Sequence, residues 1–416
     1  MKDLLQKWNS LNLVPRIVIG LVIGIILAVT IGDRAGFIAI FGTLFVGALR
    51  AIAPVLVFVL VIASIATKKP GTKTNMKPLI VLYLIGTFTA AFMGVVASFL
   101  FPIHLEFTGL ASVDYRPPSS INAVLLALLM NIVDNPVKAI VNGNYIGILA
   151  WALIFGTFLR VIASDATKEV LSNFSDAVTS AVRLVINFAP LGVLGLVFAS
   201  ITESGIDVLA TYGQLLLILV ATMLVVYFIV NPFIAFLTMR QNPYRLVFRC
   251  FRESAITAFF TRSSAANIPV NLRLCENLGL NRETYSIAVP LGANIAMQGA
   301  AITITIMTLA TVHTVGLSVS FASAVLLCFA AALGAAGTSG VPGGSLLLIP
   351  VGAAVFGIPE QIAMQAVGIG FIISVVQDSC ETALNSSSDP LWIGAVEQRQ
   401  RIKEGQPLLD FRITKS

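Results

Sequence analysis

Apolar runs, one after another and each long enough to cross a bilayer, constrain this chain more than any other feature. They cover residues 15–31, 37–66, 78–101, 121–161, 177–201, 212–238, 285–312 and 360–385. A membrane helix needs roughly 20 mostly apolar residues. In lipid, only helices and closed barrels satisfy their backbone groups internally. Charged residues make up 11% of the 416, against about 25% in an ordinary soluble domain. So few charges do not cover a water-facing surface, and the mean hydropathy of +0.93 agrees. The expectation is an all-α membrane protein in a lipid bilayer. The first run has the apolar character of a signal peptide. It lacks a small-x-small cleavage site and leads into further spans, so it reads as the first membrane helix.

Two further stretches, 247–274 and 318–356, are apolar but interrupted. The first contains Arg262-Ser263-Ser264-Ala265-Ala266-Asn267-Ile268-Pro269, the second Gly337-Thr338-Ser339-Gly340-Val341-Pro342-Gly343-Gly344-Ser345. Each has small polar residues followed by a β-branched residue and Pro. Proline fits the first turn of a helix, where its missing N–H costs nothing. Each stretch therefore reads as helix, non-helical tip, helix. The fourth run is too long for one straight span, and Asn135-Pro136 and Asn142-Gly143 are expected to break it.

The charges sit in short connections. A net charge of +6 can signal nucleic-acid binding. Here the Lys and Arg alternate between connections as the positive-inside rule demands, so no nucleic-acid partner is expected. Lys2, Lys7 and Arg16, then Lys68, Lys69, Lys73 and Lys77, then Arg160 and Lys168, mark one side. Arg240, Arg245, Arg249 and Arg252, and the terminal Arg399, Arg401 and Lys403, continue it. Both termini are then cytoplasmic, in a bacterial inner membrane. The alternation closes only if both interrupted stretches leave on the side they entered. The expected fold is eight transmembrane helices plus two re-entrant helical hairpins of opposite entry, an inverted repeat of the kind found in secondary transporters. The four cysteines are scattered without CxxC spacing and suggest neither zinc nor a disulfide framework. No nucleophile–His–acid set, phosphate loop or cofactor motif is present, so the chain does not read as an enzyme.

Chemistry concentrates in the last run. Asp378, Thr382, Asn385 and Asp389 follow at spacings of 4, 3 and 4 and fall on one helical face. A central Asp costs about 2.5–3.5 kcal/mol in lipid by insertion scales, so this stripe faces protein, water, an ion or a substrate. Asp389 suits sodium, a hard cation with the preference for oxygen known for Ca²⁺ and Mg²⁺. Asn385 adds an amide or backbone oxygen. Asp378 suits an ammonium. Helix N-termini bind carboxylates. Two tips meeting near the midplane, with Ser263 and Ser264 on one and Gly340 and Val341 on the other, suit an α-carboxylate. The ligand so described is a zwitterionic amino acid. The run Gly292-Ala293-Asn294-Ile295-Ala296-Met297-Gln298-Gly299-Ala300 suggests a helix break that exposes carbonyls, although a Gly-mediated helix contact fits it equally.

In these motifs the chain resembles the dicarboxylate/amino acid:cation symporter family, over nearly its whole length. The Arg262–Ser264 tip, the glycine-rich 337–343 run and the 378–389 stripe match in order and spacing. The resemblance implies a homotrimer with an elevator mechanism and no cofactor beyond sodium as coupling ion. Residues 1–75 and 120–204 would be a scaffold carrying the trimer contacts. Residues 76–119 and 205–398 would form a moving transport domain, and 399–416 a cytoplasmic tail. It implies one sodium site at Asp389, Asn385 and the Gly292 and Ala296 carbonyls, and a second near Asn294, Ala335, Ala336 and Thr338. Departures from the family pattern are informative. Where acidic-substrate members carry an Arg that pairs with the substrate side chain, this chain has Glu381. A Thr that also contacts that side chain is Ala300 here. An Asp that ligates a further sodium is Gln298, and its third-span partners stand as Tyr83, Gly86 and Thr87. A small neutral amino acid, serine or threonine, fits, with one or two sodium ions. Glu381 accepts either the substrate hydroxyl or Arg262, and these two roles stay open. A proton-coupled carrier, with Glu381 or Asp378 as the proton site, is the alternative; an anion channel is a further one.

Overall fold

The computed structural model describes residues 13–67, 76–107, 126, 129–336 and 342–411. Every element among them is helical. In chain order these are α1 (Leu13–Thr30), α2 (Ala39–Ala66), α3 (Met76–Leu100), α4 (Pro136–Asn142), α5 (Tyr145–Ile162), α6 (Asp165–Ile186), α7 (Ala189–Ser204), α8 (Val208–Val225), α9 (Asn231–Met239), α10 (Tyr244–Cys250), α11 (Ile256–Thr261), α12 (Ile268–Asn277), α13 (Arg282–Ile295), α14 (Gln298–Thr314), α15 (Phe321–Ala335), α16 (Ile349–Ala354) and α17 (Glu360–Glu404). Among the described residues, seven helical spans are long and apolar enough to cross a membrane, counting α8 with α9 and α13 with α14 as one each, and α6 with α7, bent by 51°, supplies an eighth if counted as one span.

The helix breaks follow local chemistry. Asn135 caps α4 by accepting from the Val137 and Lys138 N–H groups, Pro136 opens it, and Gly143 closes it at φ +65°. The two breaks expected in the fourth run are therefore both present. The fifth run departs from its expected single span. Its helix starts earlier, at Asp165, and kinks before Pro190, whose nitrogen has no proton for the preceding turn. The last run also departs, because its helix does not stop near Asn385. It continues through Pro390 to Glu404. Pro390 leaves the Ser386 carbonyl without its helical donor, and Asn271 Nδ2 supplies one at 2.8 Å. Likewise Pro232 frees the Phe228 carbonyl, and Tyr244 donates its hydroxyl to it at 3.1 Å. Helix continuity through both prolines thus rests on donors from neighbouring elements.

The arms of the interrupted stretches are short. α15 has 15 residues and α12 has 10, about 22 and 15 Å at the usual rise, against a hydrocarbon core of about 30 Å. After the first tip, Asn267 precedes α12 and Pro269 lies in its first turn, as expected. After the second tip, no helix starts at Pro342. Residues 342–345 are turns with Gly343 at φ +71°, followed by a short 3-10 segment, Leu346–Leu348, and then α16 with Pro350 in its first turn. The left-handed glycine turns the chain away from a helical path at that point.

Two packing neighbourhoods result. α1 lies on α7 so closely that a Cβ on Gly20 would fall 2.1 Å from the Pro190 carbonyl oxygen, and α2 packs on α5, α6 and α7. α3 packs on α14 and α15, and α17 on α14, α11, α8, α9 and α13. Residues 298–312 of α14 are all buried, so this helix forms the centre of the second neighbourhood. Large apolar side chains such as Leu44, Phe158, Val161 and Leu217 remain more than 60% exposed on the outside. A water-facing surface avoids such an arrangement and a lipid-facing one requires it.

Candidate functional site

The polar stripe of α17 is buried among α11, α13, α14 and the segment after the second tip. Asp378 is 3% exposed, Glu381 5%, Thr382 6%, Asn385 5% and Asp389 0%. One helical face therefore carries three carboxyl groups into the interior.

Asp378 joins both interrupted stretches. Arg262 donates from Nε to its Oδ2 at 2.7 Å, and the Gly343 N–H donates to its Oδ1 at 3.0 Å. Arg262 also donates from Nη2 to the Ser374 carbonyl at 3.4 Å. The arginine ends α11 at φ +51°, a left-handed conformation that L side chains avoid. Of the two roles left open for Glu381, pairing with Arg262 is not found, since Arg262 pairs with Asp378. Asp378, expected for an ammonium, takes the guanidinium.

Glu381 instead has three neutral donors, all on one oxygen. Thr303 Oγ1 at 2.8 Å, Ser345 Oγ at 2.7 Å and Gln377 Nε2 at 2.6 Å converge on its Oε2. Gln377 also donates to Thr303 Oγ1 at 2.7 Å. The other oxygen, Oε1, takes no part in this cluster. Gln377 lies four residues before Glu381, so the helical period places it on the same face. The contributions of Thr303 and Ser345 depend on how α14 and the second stretch dock, and no sequence spacing reports that.

Asn385 accepts the Gly299 N–H on its Oδ1 at 2.7 Å, satisfying one of the free N–H groups in the first turn of α14. Asp389 is the contrasting case: neither of its carboxylate oxygens has a hydrogen-bond partner. Its carboxylate lies against Gly292, where a Cβ would fall 2.4 Å from Oδ1. Close by, the expected break is present. α13 ends at Ile295, and Ala296 (φ −90°, ψ 63°) and Met297 (φ −101°, ψ 57°) separate it from α14. The Gly292 carbonyl still accepts the Ala296 N–H at 2.9 Å, and the break deprives the carbonyls after it of their helical donors. A buried, bare carboxylate is strongly unfavourable unless it takes up a proton or a cation, and an oxygen set of carboxylate and carbonyls suits a hard cation.

The remaining expected residues divide. Ser264 is buried and Ser263 half-buried in the first tip, where the Ser263 hydroxyl accepts the Ala266 N–H at 3.2 Å. Asn294 donates its amide back to the Pro290 carbonyl at 2.8 Å. Ala335 and Ala336 form the C-terminal end of α15. Thr338, Gly340 and Val341 lie outside the described residues. The N–H from the second tip that reaches a carboxylate belongs to Gly343, which the sequence did not single out.

Two neutral networks complete the surroundings, and both escaped sequence reasoning. Gln298 exchanges amide bonds with Asn231 at 2.8 and 2.9 Å and accepts from Ser388 Oγ at 2.7 Å. Gly86 leaves room for it, since a Cβ there would meet its Nε2 at 2.6 Å. Asn267 and Asn271, one turn apart, bind Ser254 and Ser386 and fix the first stretch to α17. The i, i+4 spacing of the two asparagines was the available signal.

The profile of the sodium:dicarboxylate symporter family matches residues 13–398. The chain is 53% identical over 398 residues to the serine/threonine transporter SstT of Streptococcus agalactiae serotype Ia, covering 96% of this chain and 98% of the relative. The serotype V and serotype III proteins of the same name match to the same extent. Family resemblance, buried carboxylate stripe and broken α13–α14 span agree, and the chain belongs to the sodium:dicarboxylate symporter family.

Proposed function

We propose that this multi-pass membrane protein is a sodium-coupled symporter that carries L-serine and L-threonine into the cell. The bare, buried Asp389 carboxylate against Gly292, beside the break between α13 and α14, carries the coupling part of this reading. Sodium, as co-substrate, is held there by Asp389 with the carbonyls of Gly292 and Ala296 and the backbone of Asn385. A second ion is held near Asn294, Ala335, Ala336 and Thr338, the set that the family resemblance implies. Gln298 holds no third one, because its amide is already engaged by Asn231 and Ser388.

For the amino acid, Asp378 receives the ammonium, and backbone N–H groups of the two tips, around Ser263, Ser264, Gly340 and Val341, receive the carboxylate. Thr382 and Asn385 border the same face. Glu381 reads the side chain. Its Oε2 is fixed by Thr303, Ser345 and Gln377, which leaves Oε1 to accept a substrate hydroxyl. The same carboxylate repels the side chain of aspartate or glutamate. The name shared by the S. agalactiae relatives supports serine and threonine.

In this reading the two interrupted stretches are re-entrant hairpins and both termini are cytoplasmic. Residues 1–75 and 120–204 form the scaffold of a homotrimer. Residues 76–119 and 205–398 move as an elevator, and 399–416 are a tail. α1, α2 and α5–α7 pack mainly on one another, as do α3 and α8–α17, which supports this division.

Uptake of labelled L-serine into proteoliposomes tests the proposal, with an inward Na⁺ gradient compared with an inward H⁺ gradient. Na⁺-driven accumulation, blocked by excess threonine but not by aspartate, is expected. Accumulation driven only by H⁺ would move coupling from Asp389 to a titrating carboxyl group, and inhibition by aspartate would remove Glu381 as the selector of charge.

A further inference from the structure

Asp378 is expected to receive the substrate ammonium, yet both of its oxygens are engaged from within the chain. Arg262 Nε takes Oδ2 at 2.7 Å and the Gly343 N–H takes Oδ1 at 3.0 Å. Arg262 and Asp378 are 6% and 3% exposed, so solvent screens the pair little. A guanidinium and an ammonium held on the same buried carboxylate oxygen repel each other at close range, where little solvent screens them. One cation at Oδ2 therefore excludes the other.

We propose that Arg262 is a built-in counter-ion for Asp378, competing with the substrate ammonium for the same carboxylate oxygen. This rests on the reading that Asp378 binds the ammonium. The exchange takes place at the level of a side chain. Asn267 fixes the first tip to α17 through Ser386 Oγ at 2.8 Å, so the backbone of the tip stays in place while the guanidinium swings. A resting place is already in reach, since Nη2 contacts the Ser374 carbonyl, one helical turn before Asp378. The left-handed backbone at Arg262 aims its side chain back at α17. It is retained because the ion pair and the Asn267 network hold it there.

The exchange has a consequence for the transport cycle. With substrate bound, the ammonium neutralises Asp378; without it, Arg262 does. Asp378 then crosses the membrane neutralised in both directions. Arg262 is thus a positioning residue for the return step, and it lowers substrate affinity as the cost of that return.

Arg262→Gln and the milder Arg262→Lys test this in purified protein reconstituted with saturating Na⁺. Serine binding by calorimetry, net Na⁺-driven uptake and serine–serine exchange are the three readouts. Losing a charge-assisted competitor is expected to tighten serine binding about tenfold in R262Q. Net uptake is expected to fall at least as far, while exchange, which never returns without substrate, is retained. R262K gives the same split at smaller size and decides the matter alone if R262Q does not fold. Weaker serine binding, with uptake and exchange falling together, overturns the proposal. Asp378→Asn separates the two layers. If it binds serine like the parent protein, Asp378 is not the ammonium site. If it loses binding while R262Q fails to tighten it, only the counter-ion role falls.

Discussion

At the scale of single residues, the three carboxylates of α17 differ in their partners, and their roles follow from that difference. Asp378 has a cation, Glu381 has neutral donors and Asp389 has no hydrogen bond. Asp389→Asn is expected to raise the Na⁺ concentration for half-maximal uptake by about tenfold or more, since it removes the charge proposed to hold the ion. Gly292→Ala acts in the same direction, because its Cβ would fall 2.4 Å from Oδ1 and displace the carboxylate. A Na⁺ titration of serine uptake reads both, and an unchanged curve for both removes Asp389 from the ion site. Glu381→Gln keeps size but loses the charged acceptor. Its preference for serine and threonine over alanine is expected to shrink by about tenfold or more, since a hydrogen bond to a charged group contributes about 1.5–3 kcal/mol. Competition of each amino acid against labelled serine measures this, and equal losses for all three would show that Glu381 does not read the hydroxyl.

At the scale of elements, the long last helix depends on a residue from another stretch. Asn271 donates to the carbonyl that Pro390 leaves without a helical partner, and its amide is buried between α12 and α17. Asn271→Leu is expected to destabilise the protein by about 1–3 kcal/mol, the cost of an unsatisfied buried polar group. Tyr244→Phe removes the equivalent donor beside Pro232, but Tyr244 is 42% exposed, so a loss below about 1 kcal/mol is expected. Thermal unfolding in detergent ranks the two. A larger effect from Tyr244→Phe would mean that α17 does not rely on Asn271.

At the scale of the whole molecule, one ion pair links the two packing neighbourhoods. Arg50 of α2 donates to Glu360 Oε2 at 2.8 Å, and Tyr145 of α5 donates to Glu360 Oε1 at 3.3 Å. Glu360 is the first residue of α17. If α17 slides past α2 during transport, this contact must break once per cycle. Arg50→Cys and Glu360→Cys, joined by a short thiol cross-linker in a background without Cys250, Cys275, Cys328 and Cys380, are expected to abolish net uptake by more than tenfold. Reducing the linker should restore it. Full transport with the linker in place would rule out relative movement of α2 and α17, and with it the elevator.

What the sequence determined by itself is whatever depends on local periodicity and on solvent. Apolar runs of bilayer length, the Asn135-Pro136 and Asn142-Gly143 breaks and the single polar face of α17 were all legible, because each is set within a turn or two of helix, whereas the break after Ile295 was one of two equal readings of its glycines and amides. Departures arose where distant parts of the chain decide. The helix beyond Pro390 continues because Asn271 supplies a donor from α12. The second tip continues as turns because Gly343 takes a left-handed turn that brings its N–H to Asp378. Of the two candidate partners that Glu381 had in the sequence, the folded chain gives Arg262 to Asp378 instead and surrounds Glu381 with neutral donors. A buried carboxylate takes the nearest set of donors, and only the docking of α14 and the second stretch against α17 brings Thr303 and Ser345 within reach. The residue types that make a transport site are therefore a property of the sequence, but the pairing of its charges is decided by tertiary packing.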